Sequence, residues 1–293
     1  MTCTLNQEDI KRVKGMGFLH NKGTNAFNGR VITGNGMITA EQLIAIGKAA
    51  EKYGNGNVCF TTRLTVECPG IEYDDIEAFR EEIGKAGLIT GGTGDKVRPV
   101  VSCKGTTCQF GRIDTYALSE KIHERFFLGY NDVKLPHKFK IAVGGCPNNC
   151  VKPDLNDIGI VGQYQPAYDV SKCKGCKVCQ IEKACPMGAA KLVDGKITVD
   201  ENICNNCGRC VEKCPFGCVA GGSYGYKIYI GGRWGKKTAH GKMVNHFFKT
   251  EDEVLEFIDR ALNFFKDNGN VKERFAETIN RIGFENVEKE LLK

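Results

Sequence analysis

Hydrophobic positions near the N-terminus recur first with the period of a strand and then with that of a helix. Residues 27–33 (FNGRVIT) predict a short strand. Thr39 and Gln42 have the spacing of a capping box, so a helix is expected to begin there. Its apolar positions continue almost to Gly54, where a glycine is expected to end it.

The next segment, residues 58–68 (VCFTTRLTVEC), alternates in polarity throughout. This alternation predicts one continuous strand with Arg63 on its polar face. A second amphipathic helix is predicted over 74–88, so helices are expected to cover one face of a sheet. Strand and helix patterns return over 97–164, and two amphipathic helices are predicted after residue 250. The fold class indicated is α+β.

Residues 171–221 interrupt this pattern, because they are dense in Cys, Gly and Lys and show little periodicity. A strand pattern resumes at residue 226, which indicates an insert between two strands of a larger domain. The predicted domains are residues 1–90, a domain made of 91–165 and 222–293, and an insert at 166–221.

The composition is that of an ordinary globular protein, with 41% hydrophobic and 26% charged residues in a chain of 293. No apolar run reaches the length of a membrane-spanning helix, and the N-terminus lacks the apolar core of a secretory signal. A cytoplasmic location is therefore expected. The net charge of +6 is spread along the chain without a basic block, so no nucleic-acid partner is expected.

Sixteen cysteines without an export signal favour metal-binding thiolates over disulfides. Eight of them form two runs of the type C-x2-C-x2-C, each completed by a fourth cysteine and a proline. These are Cys173, Cys176, Cys179 and Cys185, then Cys204, Cys207, Cys210 and Cys214. A pair of zinc knuckles also uses C-x2-C, but zinc does not require the third cysteine.

The two runs resemble the bacterial two-cluster ferredoxin, in which the fourth cysteine of each run binds the other [4Fe–4S] cluster. The resemblance implies one cluster on Cys173, Cys176, Cys179 and Cys214, and another on Cys204, Cys207, Cys210 and Cys185.

Four more cysteines lie upstream, Cys103 and Cys108 in VSCKGTTC and Cys146 and Cys150 in GGCPNNC. On spacing alone a structural zinc site remains an alternative. With the neighbouring LPHKFKIAV segment, however, the pattern resembles the sulfite/nitrite reductase family. That resemblance implies a third [4Fe–4S] cluster on these cysteines, with Cys150 also the axial ligand of siroheme iron. The first pair has four intervening residues, where the family usually has five.

The same resemblance extends to basic residues that bind and protonate the oxyanion substrate in the family. FNGRVITGNG, FTTRLTVECPGI and LPHKFKI match the family segments and imply catalytic roles for Arg30, Arg63, Lys138 and Lys140. Lys138 and Lys140, two apart on a predicted strand, should share one face. Any single one could instead be a solvated surface charge. Further candidates for the siroheme carboxylates are Arg98, Lys104, Arg112, Arg233, Lys236 and Lys237.

The resemblance covers residues 18–240 and implies a ferredoxin-like half-domain, a siroheme domain and an inserted ferredoxin domain. It implies six-electron reduction of sulfite to sulfide, with siroheme and three [4Fe–4S] clusters. Because no nucleotide-binding motif is found, a low-potential donor protein or subunit is expected. A homodimer is also expected, since larger family members carry the catalytic half twice. Nitrite reduction is one alternative, and an electron carrier without siroheme is another.

Several residues are given ordinary structural roles. Cys59 and Cys68 are predicted to be buried small residues, and Trp234 is given a packing role. Cys3 and Cys218 are not needed by any of the cluster patterns.

Overall fold

The computed structural model describes residues 5–293, so Cys3 lies outside the described residues. The N-terminal unit is a four-stranded antiparallel sheet of order β1-β2-β4-β3. Its strands are β1 Phe18–His20, β2 Ala26–Val31, β3 Cys59–Phe60 and β4 Val66–Glu72. Its helices are α1 Gln7–Gly15, α2 Ala40–Tyr53 and α3 Ile76–Gly84. The apolar faces of α2 and α3 pack on the sheet through Ile46 and Phe79, both fully buried.

The predicted capping box is present, because Thr39 Oγ1 accepts the Gln42 N–H and Gln42 Oε1 accepts the Thr39 N–H. The prediction of one strand over 58–68 is wrong. The chain turns between β3 and β4, and Leu64 at the turn has φ 58°. A left-handed residue cannot continue a strand. Arg63 therefore lies in a tight turn rather than on a sheet face.

The second unit contains a mixed five-stranded sheet of order β11-β10-β7-β6-β5. β5 Val101–Ser102, β6 Ile141–Gly144 and β7 Ile158–Ala167 are parallel, whereas β10 Gly221–Ile230 and β11 Lys242–Met243 join antiparallel. Helix α4 Thr115–Ile122 continues into a π-helical turn, His123–Leu128. The C-terminal helices are α6 Glu251–Asn268, α7 Phe275–Ile282 and α8 Phe284–Leu291. The sheet and these helices enclose the largest apolar core, which includes Phe139, Phe257 and Phe265.

A small cysteine-rich unit lies between β7 and β10, which pair as far as Ala167 and Gly221. It contains helix α5 Gln180–Ala184 and the hairpin of β8 Ala190–Val193 and β9 Lys196–Val199. Its own core is small and is built partly from cysteines, including Cys173, Cys210 and Cys218.

The α+β fold class is confirmed by these sheets and their covering helices. Lys138 and Lys140 precede β6 rather than lying on it. The expected alternation of lysines with apolar residues nevertheless holds, because Phe139 and Ile141 are fully buried. Within residues 5–293, no helix combines the length and hydrophobicity needed to span a bilayer.

Candidate active site

Two loops of the second unit bring its four cysteines together. A Cβ atom at Gly105 would lie 2.8 Å from Gly145 Cα, and a Cβ atom at Gly145 would lie 2.7 Å from Gly105 Cα. Both distances are too short for a side chain. Only glycines allow this approach. Cys103 Sγ accepts the Gly145 N–H at 3.1 Å, which joins the first loop to the start of the second. Thr115 Oγ1 also donates to the Cys103 carbonyl at 2.7 Å.

The four thiols are close enough to influence one another. Burial raises the pKa of Cys146, and the neighbouring Cys103, Cys150 and Cys108 raise it further. Among residues 5–293, no three Cys, His, Asp or Glu side chains converge closely enough for a single metal ion. Cys150 is exposed. Asn149 and Lys152, on either side of it, have left-handed backbone angles, so its loop turns sharply.

A cavity of about 440 Å³ lies beside Cys150. Its wall carries Arg63 from the turn of the N-terminal unit and Lys140 from the segment before β6. Trp234, for which a packing role is predicted, also lines the cavity and is 61% exposed. The structure therefore brings together Arg63, Lys140 and Cys150, which the sequence placed in one site.

The Arg63 guanidinium is held firmly between the two units. Nε and Nη2 donate to the Pro99 carbonyl at 3.1 and 2.6 Å, Nη1 donates to Asn156 Oδ1 at 3.0 Å, and Nη2 also donates to the Ile141 carbonyl at 3.3 Å. Four of its five N–H groups are thus used, which leaves one for a ligand. Burial, with further contributions from Arg98 and Arg30, lowers the pKa of Arg63 to about 10.

Lys140 and Lys138 lie in a strongly cationic environment. Burial, followed by the charges of Arg63 and Arg274, lowers the pKa of Lys140 to about 8, and the opposing effect of Asp157 does not offset this. The pKa of Lys138 is lowered by burial and then by Arg274. An amine with a pKa near 8 is well suited to give up a proton near neutral pH.

A buried ion pair that the sequence did not predict supports these lysines. Arg274 Nη2 donates to Asp157 Oδ2 at 2.7 Å, and their side chains are 4% and 0% exposed. The same carboxylate oxygen accepts the backbone N–H of Lys140 at 2.9 Å. Burial raises the pKa of Asp157, whereas Arg274 opposes that rise. Asp157 thus fixes the backbone of the lysine segment and supplies its counter-charge.

Arg30 and Arg98 lie near the cavity but do not line it. Arg30 forms an ion pair with Glu67 at 2.7 Å, and both arginines donate to the Gly92 carbonyl. Burial, followed by the charge of Arg30, lowers the pKa of Arg98 to about 10. The buried Nε of Arg98 has no hydrogen-bond partner.

The remaining predicted siroheme contacts are dispersed. Arg112 donates to the Cys207 carbonyl at 3.1 and 2.7 Å, so it contacts the cysteine-rich unit rather than the cavity. Arg233 forms an ion pair with Glu277 at 2.7 Å. Lys104, Lys236 and Lys237 are exposed. Their assignment to siroheme stays a prediction.

The cysteine-rich unit divides its thiols into two groups. One cavity, of about 290 Å³, is lined by the first group, Cys173, Cys176, Cys179 and Cys214, together with Cys218. A smaller cavity is lined by the second group, Cys185, Cys204, Cys207 and Cys210. We name these the first and second ferredoxin sites. The grouping matches the crossed pairing that the sequence resemblance implied, although the cluster ligands themselves stay a prediction.

Four cysteines fall outside the predicted ligand sets, and three of them lie among residues 5–293. Cys68 is buried as expected, but Cys59 is exposed, because it lies on the short edge strand β3. Cys218 is 1% exposed and contacts Cys214 and Cys173, so it belongs to the surroundings of the first ferredoxin site. Its position four residues beyond Cys214 was the available signal.

Two family models match the chain. The nitrite/sulfite reductase ferredoxin-like half domain matches residues 20–86, and the nitrite and sulphite reductase 4Fe-4S domain matches residues 93–293. Among solved structures, dissimilatory sulfite reductase I has a similar fold, with a TM-score of 0.73 at 21% identity. That match covers 95% of this chain and 76% of the other.

Curated relatives agree with the family models. The coenzyme F420-dependent sulfite reductase of Methanocaldococcus jannaschii is 33% identical, and the match covers 85% of this chain but only 39% of that protein. One subunit of the anaerobic sulfite reductase of Salmonella typhimurium is 31% identical, with 79% of this chain and 72% of the relative covered. The chain belongs to the nitrite and sulphite reductase family of siroheme-dependent oxidoreductases.

Proposed function

We propose that this chain reduces sulfite to sulfide at a siroheme coupled to a [4Fe–4S] cluster. The observation that carries the proposal is the single cavity shared by Arg63, Lys140 and Cys150. Two relatives are named sulfite reductases, which favours sulfite over nitrite as the substrate.

The residues around the cavity fit siroheme chemically. The tetrapyrrole carries eight carboxylates, so its site needs fixed cations and hydrogen-bond donors. Lys140 supplies positive charge in the wall of the cavity, Lys138 and Arg98 add positive charge nearby, and the Arg98 Nε is a buried donor without a partner. The exposed Cys150 is the thiol available to the haem iron, and Cys103, Cys108 and Cys146 would complete the cluster ligands.

When bound, siroheme and its cluster supply the iron site for the sulfur atom and the electrons for the reduction. Hydrogensulfite takes up six electrons and six protons to give hydrosulfide and three waters. The free N–H of Arg63 binds a sulfite oxygen, and the ammonium group of Lys140 donates a proton to an oxygen as it leaves. Asp157, through the Lys140 backbone N–H, keeps the lysine segment in place. Arg30 and Lys138 add positive charge near this pair.

The two ferredoxin sites are proposed to hold the other two [4Fe–4S] clusters. The Cys204–Cys210 loop of the second site contacts the siroheme domain, because the Tyr164 N–H donates to the Asn206 carbonyl at 2.7 Å. This contact favours the second ferredoxin site as the one that passes electrons to the catalytic cluster. The electrons would come from a low-potential donor protein or subunit, and we propose that the chain acts as a homodimer.

The visible spectrum of anaerobically purified protein, with an iron and labile-sulfide count, tests the proposal. We expect siroheme bands and about twelve non-haem irons per chain. Cys150→Ser should abolish sulfite reduction by reduced viologen, whereas Cys59→Ser, at an exposed cysteine of the N-terminal unit, should leave it unchanged. A wild-type protein without siroheme bands would overturn the proposal, and faster turnover of nitrite than of sulfite would reassign the substrate. Sedimentation as a fully active monomer would exclude the homodimer.

A further inference from the structure

One tyrosine is bonded directly to a cysteine of the second ferredoxin site. The Tyr168 hydroxyl donates a hydrogen bond to Cys210 Sγ at 3.0 Å. Cys210 is 7% exposed, and the Tyr168 ring packs against the small core of the cysteine-rich unit. The bond is therefore partly buried within the unit.

The chain around Tyr168 is fixed on both sides. The preceding residue, Ala167, is the last of β7 and pairs with Gly221 of β10. The following residue, Asp169, donates its N–H to the Cys218 carbonyl at 2.8 Å and accepts the Ser171 N–H at 3.2 Å. Tyr168 is thus anchored where the chain leaves the siroheme domain, and its ring has little freedom to leave the thiol.

A hydrogen bond to a ligating sulfur favours the reduced state of an iron–sulfur cluster, because reduction adds negative charge that spreads over the sulfurs. A phenol is a stronger donor than a thiol, and a buried bond is stronger than an exposed one. The first ferredoxin site has the Cys218 thiol beside Cys214 and no tyrosine among the residues that line its cavity. The phenolic bond therefore distinguishes the two sites.

We infer that Tyr168 tunes the second ferredoxin site by raising the midpoint potential of the cluster on Cys185, Cys204, Cys207 and Cys210. This inference rests on the proposed function, because it requires clusters at both sites. The second site is the one that contacts the siroheme domain through Tyr164 and Arg112. A higher potential there makes its cluster the better electron acceptor, so that electrons collect beside the catalytic cluster.

Replacement of Tyr168 by phenylalanine in the full chain tests the inference. Tyr168→Phe keeps the ring and removes the hydroxyl. In a redox titration followed by electron paramagnetic resonance, one of the two ferredoxin midpoints should shift to a more negative value, while the other and the iron content stay unchanged. Tyr224→Phe is the matched control, since Tyr224 is 59% exposed and packs on Tyr164. It should shift neither midpoint.

A second variant covers the case in which Tyr168→Phe does not assemble its clusters. Site-specific 3-fluorotyrosine at position 168 keeps the shape and strengthens the donor, so it should shift the same midpoint to a more positive value. Both clusters present with no shift in either variant would overturn the inference alone. A wild-type protein without two ferredoxin-type signals would instead overturn the proposed function.

Discussion

The guanidinium of Arg112 clamps the carbonyl oxygen of Cys207 with two hydrogen bonds, of 3.1 and 2.7 Å. The two residues are 95 positions apart and belong to different units. The Arg112 backbone N–H also donates to the Gly145 carbonyl at 2.8 Å, and its side chain lies over the Tyr164 ring at 5.6 Å. One residue thus joins the loop of the second ferredoxin site to both cysteine loops of the second unit.

Arg112→Gln should loosen this junction. A glutamine amide is shorter and cannot present two parallel N–H groups to one oxygen, so the Cys204–Cys210 loop should move more freely. We expect amide hydrogen exchange to increase in that loop, and steady-state sulfite reduction by reduced viologen to fall several-fold. Arg80→Gln is the control, because Arg80 forms an exposed ion pair with Glu77 in the N-terminal unit. Unchanged exchange in the loop would contradict the junction.

The depressed pKa of Lys140 predicts an alkaline limit to activity. With a pKa of about 8, the side chain is a protonated ammonium below pH 8 and loses its charge and its proton as the pH rises above it. Turnover of sulfite should therefore fall through an apparent pKa at or above 8, because bound anions stabilise the ammonium form. The measurement is kcat/KM for sulfite between pH 6.5 and 9.5.

Substitution at Lys140 separates charge from proton donation. Lys140→Arg keeps a positive charge throughout this range but cannot release a proton, so the KM should stay near wild type while kcat falls about 100-fold or more. Lys249→Met, at an exposed position, should leave the profile unchanged. A wild-type alkaline limb in Lys140→Arg would show that another group titrates.

Local patterns predicted the regular elements well, whereas the contacts between units were not predictable. The capping box at Thr39 depends on residues three apart, and α6 begins at Glu251 as its pattern indicates. Alternation failed at Arg63, because polarity does not report the left-handed backbone of Leu64. A single strand and a tight hairpin of the same length can show the same alternation of polar and apolar residues.

The sequence predicted only those residues of the candidate site that lie in recognisable motifs. The cysteines and Lys140 stand in recognisable segments, but Asp157 and Arg274 are 117 residues apart and no spacing connects them. Arg112 was assigned to siroheme because it follows the first cysteine pair, and no spacing in the sequence pointed to its hydrogen bond with the Cys207 carbonyl. Side-chain direction at such distances is set by packing between units.

The glycine contact between the cysteine loops gives a further prediction. A Cβ at Gly105 would lie 2.6 Å from Thr115 Cγ2 and 2.8 Å from Gly145 Cα, so Gly105→Ala must push the loops apart. One cluster should be lost, and non-haem iron should fall from about twelve to about eight per chain. Gly47→Ala is the control, because nothing lies within 4 Å of its Cβ and alanine favours the helix α2 by about 1 kcal/mol. Full iron content in Gly105→Ala would contradict the role given to this contact.

Removing one partner of the buried Asp157–Arg274 ion pair should lower the free energy of unfolding, and removing both partners should cost less than the two single losses together. Asp157→Asn leaves a buried guanidinium without its counter-charge, and Arg274→Met leaves a buried carboxylate alone. Each single variant should lose about 3–5 kcal/mol of unfolding free energy. The double variant removes both charges, so its loss should be clearly smaller than the sum of the two.

Denaturant unfolding of the four proteins, each with its iron content checked, measures this coupling. Asp157→Asn should also move the alkaline limb of activity to lower pH, because Asp157 raises the pKa of Lys140. Arg274→Met should move it to higher pH, since Arg274 lowers that pKa. Opposite shifts cannot arise from a general loss of stability, which would lower activity at every pH in both variants. Strictly additive unfolding energies with an unmoved pH profile would show that the pair neither stabilises the site nor tunes its lysine.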